Sequence, residues 1–329
     1  MRKILERLHE NKKLSKEEAR EILKRISFKE FSDTHLVGFL SVFQMRGITL
    51  DELQGFREAL MDRCLKIDFS EFDTIDMCGT GGDGKNTFNI STLASFIVAG
   101  AGYKVAKHGN YGVSSVSGSS NVLEAMGYKF TNDEKVLKDQ LKIANITFLH
   151  APLFHHAMAA VGPVRKEMKM KTFFNMLGPL VNPSEPKNQL TGVFSRELAR
   201  LYQYFFQKQI NKKYAVIYDL DGYDEISLTS DFILRDNRGE HLFSPQDLGL
   251  KKIEQDEIFG GNTVEEAVAI FRNIIDGKGT EAQNNVVCAN AAMAIKIMNN
   301  DKISFAACFE EAKESLLGGK AKKSLKMII

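Results

Sequence analysis

The sequence predicts an α/β protein: a small all-α domain followed by a larger α/β domain whose mostly parallel central sheet is flanked by helices. Three observations carry this. Residues 1–66 read as helix alone, short apolar runs alternate with helices from Phe72 onward, and a segment holding five of the six prolines interrupts that alternation. The domains are expected at 1–68 and 69–329.

In the N-terminal part, Ser15 and Glu18 form a capping box ahead of Ala19, Ile22, Leu23 and Ile26 at helical spacing. Thr49 and Glu52 repeat it ahead of Leu53, Phe56 and Leu60, and Asp33 to Met45 forms a helix between them, closed by Gly47. These stripes read as core, with no chemistry attached. The expected strands are Ile75–Met77, Tyr103–Ala106, Thr147–Leu149, Leu190–Val193 and Tyr214–Tyr218. Between the third and fourth, His150 to Pro186 carries Pro152, Pro163, Pro179, Pro183 and Pro186 around helical pieces at His155–Val161 and Val164–Met170, which fits a crossing between domains better than sheet. Helices resume at Thr263 and close with Gln283–Met298 and Phe305–Leu317. The basic tail Lys320 to Lys326 reads as a solvated end.

The chemistry concentrates in Asp76 to Gly127. Loops rich in Gly, Ser and Asn let backbone N–H groups and small hydroxyls converge without Cβ obstruction, which is how a chain builds a floor for a phosphorylated ligand. Gly79-Thr80-Gly81-Gly82-Asp83-Gly84 follows the first strand. Ser91 is placed as N-cap of the helix Thr92 to Ala101, so that the helix's positive end faces the loop, and Lys107-His108-Gly109-Asn110 is read as a second loop adding a cation. Ser117-Gly118-Ser119-Ser120 precedes a short helix, Asn121 to Met126. Two nucleotide motifs come close and fail. Gly79, Gly81 and Gly84 satisfy G-x-G-x-x-G, but Lys85 to Asn89 intervene before the helix and the second strand ends at Lys107, not at an acid; and Asn86 stands where a P-loop needs Ser or Thr.

Downstream, Asp219, Asp221, Asp224 and Glu225 crowd a strand end. Paired with a phosphate floor, Asp224 and Glu225 suit Mg²⁺, which takes carboxylates together with phosphate oxygens. Arg165, beside Pro163, offers a planar fork for a carboxylate or phosphate.

With 43% hydrophobic and 26% charged residues the composition is globular, and a net charge of +2 with spread basic residues argues against a nucleic-acid partner. Cys64, Cys78, Cys288 and Cys308 stand singly, as reduced thiols do. The charged N-terminus has no signal-peptide core and no stretch of 18 apolar residues occurs, so the expectation is a cytoplasmic protein with no membrane partner.

GTGGD at 79–83, N-x-S-T at 89–92, KHGN at 107–110, GPVRKEM around Arg165, FNMLGPLVNP at 174–183 and DGYDE at 221–225 together resemble anthranilate phosphoribosyltransferase. The resemblance spans about 70–230. It implies a homodimer, and a helical domain to which part of 155–186 returns. It also implies transfer of the phosphoribosyl group from phosphoribosyl pyrophosphate to the amine of anthranilate, with release of pyrophosphate, in tryptophan biosynthesis. Carried over by position, Gly79, Thr80, Gly81, Gly82, Asp83, Thr87, Asn89, Ser91, Thr92, Lys107 and Ser119 would hold phosphoribosyl pyrophosphate. Gly79, Asn110, His155 and Arg165 would hold anthranilate, and Ser91, Asp224 and Glu225 would hold Mg²⁺. No side chain is expected to act as nucleophile. The sequence departs from the family at Tyr111, where arginine usually follows KHGN, and at SGSSN (117–121), where SGSAD is common. Alternative readings are a pyrimidine nucleoside phosphorylase of the same fold, which has no use for the Asp224–Glu225 pair, and a non-catalytic nucleic-acid-binding relative, which would want a basic, aromatic groove.

Overall fold

The structure, a computed structural model, describes residues 1–112 and 116–329. Four helices come first: α1 (Arg2–His9), α2 (Lys16–Ser27), α3 (Asp33–Arg46) and α4 (Leu50–Asp62). Both expected capping boxes are formed, Ser15 with Glu18 at the start of α2 and Thr49 with Glu52 at the start of α4. Glu52 does more than cap. Its fully buried carboxylate also takes Arg46 and the Leu14 N–H, tying three segments together.

The second part alternates strands and helices: β1 (Thr74–Met77), α5 (Ile90–Gly100), β2 (Lys104–Gly109), α6 (Ser119–Ala125), α7 (Glu134–Ala144) and β3 (Ile146–His150). Short turns α8 (Ala151–Phe154) and α9 (Gly162–Met168) follow, then β4 (Asn188–Gly192), α10 (Arg196–Gln207), β5 (Lys213–Asp219), β6 (Phe232–Asp236) and β7 (Gly239–Phe243). Four helices close the chain: α11 (Val264–Ile275), α12 (Glu281–Met298), α13 (Phe305–Leu317) and α14 (Lys320–Lys326). The sheet order is β3-β2-β1-β4-β5-β6-β7, parallel through β5 and antiparallel at β6 and β7. The chain thus leaves β1 toward β2 on one side and returns to it with β4 on the other. At such a reversal the loops at the carboxyl ends of the strands part and leave a crevice.

Two large cores flank the sheet. One is built on α5, buried along nearly its whole length, with α12 and α13 against it. The other joins α1–α4 to α10 and to the proline-rich crossing. Phe173 of that crossing enters the helical bundle between Phe39, Phe43 and Phe56, stacking on Phe56 at 4.4 Å, so the polar residues of the crossing are held against the helical part.

Several expectations are corrected. The tail is not a solvated end. It forms α14, which buries Ala321 and Leu325 against the α5 core while its lysines pair outward with Glu314 and Asp276. Lys107 and His108 lie within β2, which pairs with β3 as far as Gly109, and not in a loop. Ser91 is not the N-cap of α5; Asn89 is, and it makes no side-chain cap bond. The helical piece expected at His155–Val161 is a 3₁₀ turn, His156–Ala160. No helix among the described residues is long and apolar enough to cross a membrane.

Candidate active site

The loops after β1, β2, β3 and β5, with the proline-rich crossing, enclose a cavity of about 530 Å³, and every site residue drawn from the sequence lines it. The floor is the loop after β1. Gly81, Gly82 and Gly84 take φ values of +60°, +74° and +76°, a conformation in which any Cβ is strained. Gly79 is required for a different reason, because a Cβ there would stand 2.6 Å from the Asp224 carboxylate. Gly192, at the end of β4, has no room for a Cβ against the Asp224 carbonyl, so the acidic turn after β5 lies directly on the glycine loop. The Thr80 N–H donates to Gly192 O at 3.0 Å and the Gly81 N–H to Asp224 Oδ2 at 2.7 Å.

The four acids of that turn divide into two pairs. Asp219 accepts from Ser227 and Ser230 and Asp221 from Thr229, so these two hold the turn in shape. Asp224 and Glu225 face the cavity. Burial first, then repulsion from Asp83, pushes the Asp224 carboxyl up to about 7; burial and Asp224 push Glu225 up to about 8. Glu225 accepts the Ser91 N–H at 3.2 Å, taking a donor from the open first turn of α5 where a local side-chain cap would otherwise serve.

Lys107 is buried, and its ammonium reaches back from β2 to Met77 O and toward Ser91 Oγ. Asn89 donates to Ser117 O, leaving its Oδ1 buried and without a partner among the described residues. Thr87 is bridged to Phe259, and Thr92 is buried in the first turn of α5. Ser119 opens α6 and donates to Asn110 O, while Asn110 turns its own Oδ1 onto the Tyr111 N–H. Tyr111 packs edge-on against His150 and donates to Glu124.

The opposite wall comes from the proline-rich crossing. Arg165 donates to Asn175 Oδ1 at 3.3 Å and lies 5.3 Å from the Phe174 ring centre, largely withdrawn from solvent. His155 Nε2 donates to Val181 O at 2.7 Å, which leaves Nδ1 as a buried lone pair without a partner among the described residues. His108 is arranged likewise: Nδ1 donates to Gly178 O at 2.9 Å and Nε2 is an acceptor without a partner among the described residues. Burial holds His155 down to about 4 and His108 to about 3, so both are neutral at ordinary pH. His108 is a site residue that the sequence does not single out: its strand position, which turns it to the same wall as His155, 5.3 Å away, is invisible when KHGN is read as a loop.

Sequence profiles of the glycosyl transferase family match both parts, the helical bundle domain at residues 2–64 and the a/b domain at 71–322. Over its full length the chain is 57% identical to anthranilate phosphoribosyltransferase of Flavobacterium johnsoniae, covering 98% of that protein. It is 48% identical to the enzyme of the same name from Bacteroides fragilis, covering 99% of it. The chain belongs to the anthranilate phosphoribosyltransferase family. Among solved structures, family members from Thermus thermophilus and Saccharomyces cerevisiae each superpose with a TM-score of 0.90. The first is 29% identical, with 98% of this chain and 97% of that one covered; the second, in complex with phosphoribosyl pyrophosphate and Mg, is 25% identical, with 99% and 95% covered.

The residues present suit Mg²⁺. Among the described residues no group of three or more His, Cys, Asp or Glu side chains is placed to hold an ion alone. Two adjacent carboxylates whose charge is strained by burial, beside a phosphate floor, are what an ion completed by substrate oxygens needs.

Proposed function

We propose that this chain transfers the phosphoribosyl group of phosphoribosyl pyrophosphate to the amine of anthranilate. The observation that carries the reading is the meeting, in one cavity, of a glycine floor with a carboxylate pair and of an arginine beside two neutral histidines. The floor, from Gly79 to Thr92 with Lys107 and Ser119, binds the phosphates through backbone N–H groups, hydroxyls and one ammonium. Ser91, Asp224 and Glu225 hold Mg²⁺, which when bound neutralises the charge that builds on the departing pyrophosphate. Arg165 takes the anthranilate carboxylate, with Asn110 and Gly79 bordering the same space. The lone pairs on His108 Nε2 and His155 Nδ1 are acceptors for the amine N–H groups, orienting the nitrogen toward the sugar.

The bond from the anomeric carbon to the pyrophosphate oxygen breaks with its electron pair on oxygen. The amine nitrogen forms the new bond to carbon and loses one proton, which passes to the released pyrophosphate or to solvent. The protein contributes position and fixed charge, not a nucleophile: Cys78, on the cavity wall, is held as a thiol by burial.

The same reading assigns residues 1–68 and 69–329 as domains, with part of 155–186 returning to the first, in a cytoplasmic homodimer. Phe173 in the bundle supports the return, and exposed Val37 and Met45 on α3 offer an apolar face for a second copy. Sedimentation at two concentrations tests the dimer. Mass spectrometry of a reaction with both substrates and Mg²⁺ tests the transfer: N-(5'-phosphoribosyl)anthranilate and pyrophosphate should form in equal amounts.

A further inference from the structure

We propose that Lys171, on the proline-rich crossing, is a further substrate-binding residue and takes the diphosphate end of phosphoribosyl pyrophosphate. The inference rests on the function proposed above for this cavity. Lys171 belongs to the helical part of the molecule, yet its side chain extends over the glycine loop of the other. A Cβ built on Gly82 would stand 3.5 Å from its Cε and 3.6 Å from its Cδ. Burial raises the Asp83 carboxyl, and the Lys171 charge is the smallest of the influences that oppose it.

The ammonium is poised 5.2 Å from the ring centre of Phe194, which follows β4, and among the described residues it enters no ion pair. A lysine exposed to water, over a loop of backbone donors and without an acidic partner, is a cation available to an incoming anion. The backbone beneath it is fixed. Gln44 of α3 donates to Lys171 O, and the Thr172 N–H donates to Asn175 Oδ1 at 3.0 Å. Asn175 also receives Arg165, so one amide sets both the arginine on the acceptor side and the lysine on the phosphate side. The choice of the diphosphate end follows from the neighbours. Gly81, next to Gly82 in the floor, donates its N–H to Asp224 Oδ2, and Asp224 with Glu225 marks where the metal and the departing diphosphate meet.

Isothermal titration with Mg²⁺ and inorganic pyrophosphate tests this, using the full chain and Lys171→Ala, Lys171→Gln and Lys171→Arg. The alanine and glutamine variants should bind pyrophosphate about tenfold more weakly, and the arginine variant should recover most of the loss. Affinity for ribose 5-phosphate and KM for anthranilate should change by less than about twofold, while KM for phosphoribosyl pyrophosphate rises about tenfold. Pyrophosphate binding to the alanine variant as tight as to the native chain would overturn the assignment, as would equal weakening of all three ligands. A native chain that binds pyrophosphate through Lys171 but leaves anthranilate unreacted would remove the acceptor and keep the lysine.

Discussion

Glu225→Gln separates what the carboxylate does for the reaction from what it costs the fold. Burial and Asp224 raise the Glu225 carboxyl from 4.5 to about 8. An acid whose folded pKa is raised favours the protonated form, so the penalty of ionising it is full above pH 8 and falls away as the pH drops through 8 toward 4.5. Taken alone the shift is worth at most about 5 kcal/mol, an upper bound because Asp224 shares it. Glutamine keeps the shape and an acceptor for the Ser91 N–H while removing the charge. In EDTA at pH 8.5 the variant should therefore melt several degrees above the native chain by calorimetry, and the gap should narrow at pH 6. Activity at limiting Mg²⁺ should fall steeply, because a ligand charge is gone. A variant no more stable than the native chain at pH 8.5, or a gap independent of pH, would refute the reasoning.

Arg165→Ala should raise the anthranilate KM about ten- to a hundredfold, with Arg165→Lys recovering part, and kcat should fall much less, since the carboxylate keeps its charge through the reaction; steady-state kinetics with each substrate varied checks this. Gly81→Val places a branched side chain at φ +60° in the floor and should weaken phosphoribosyl pyrophosphate far more than anthranilate, read in the same assay.

Much of this was legible where a local rule decides the outcome. Ser15 with Glu18 and Thr49 with Glu52 announce helix starts because the bonds they make lie within four residues. The glycine loop was legible because positive φ leaves a compositional trace, and Asp224 with Glu225 because acids gather visibly beside it. The rest depends on distant contacts. Strands β6 and β7 are not legible: in β7, exposed Leu242 and Glu240, which pairs with Arg235 of β6, give no clean apolar alternation, and the pairing of β6 with β5 and of β7 with β6 is what makes them strands. The lysine-rich tail became a helix because Ala321 and Leu325, four apart, find the α5 core. Asn89 rather than Ser91 begins α5 because Glu225, 134 residues on in the chain, supplies the acceptor that a local cap would have given.

The central claim is tested most directly by following anthranilate fluorescence. With the native chain, phosphoribosyl pyrophosphate and Mg²⁺, the signal should decay to completion, and omission of the sugar donor or chelation of the metal should stop it. A signal unchanged with all components present, or decay that needs neither donor nor metal, would contradict the account.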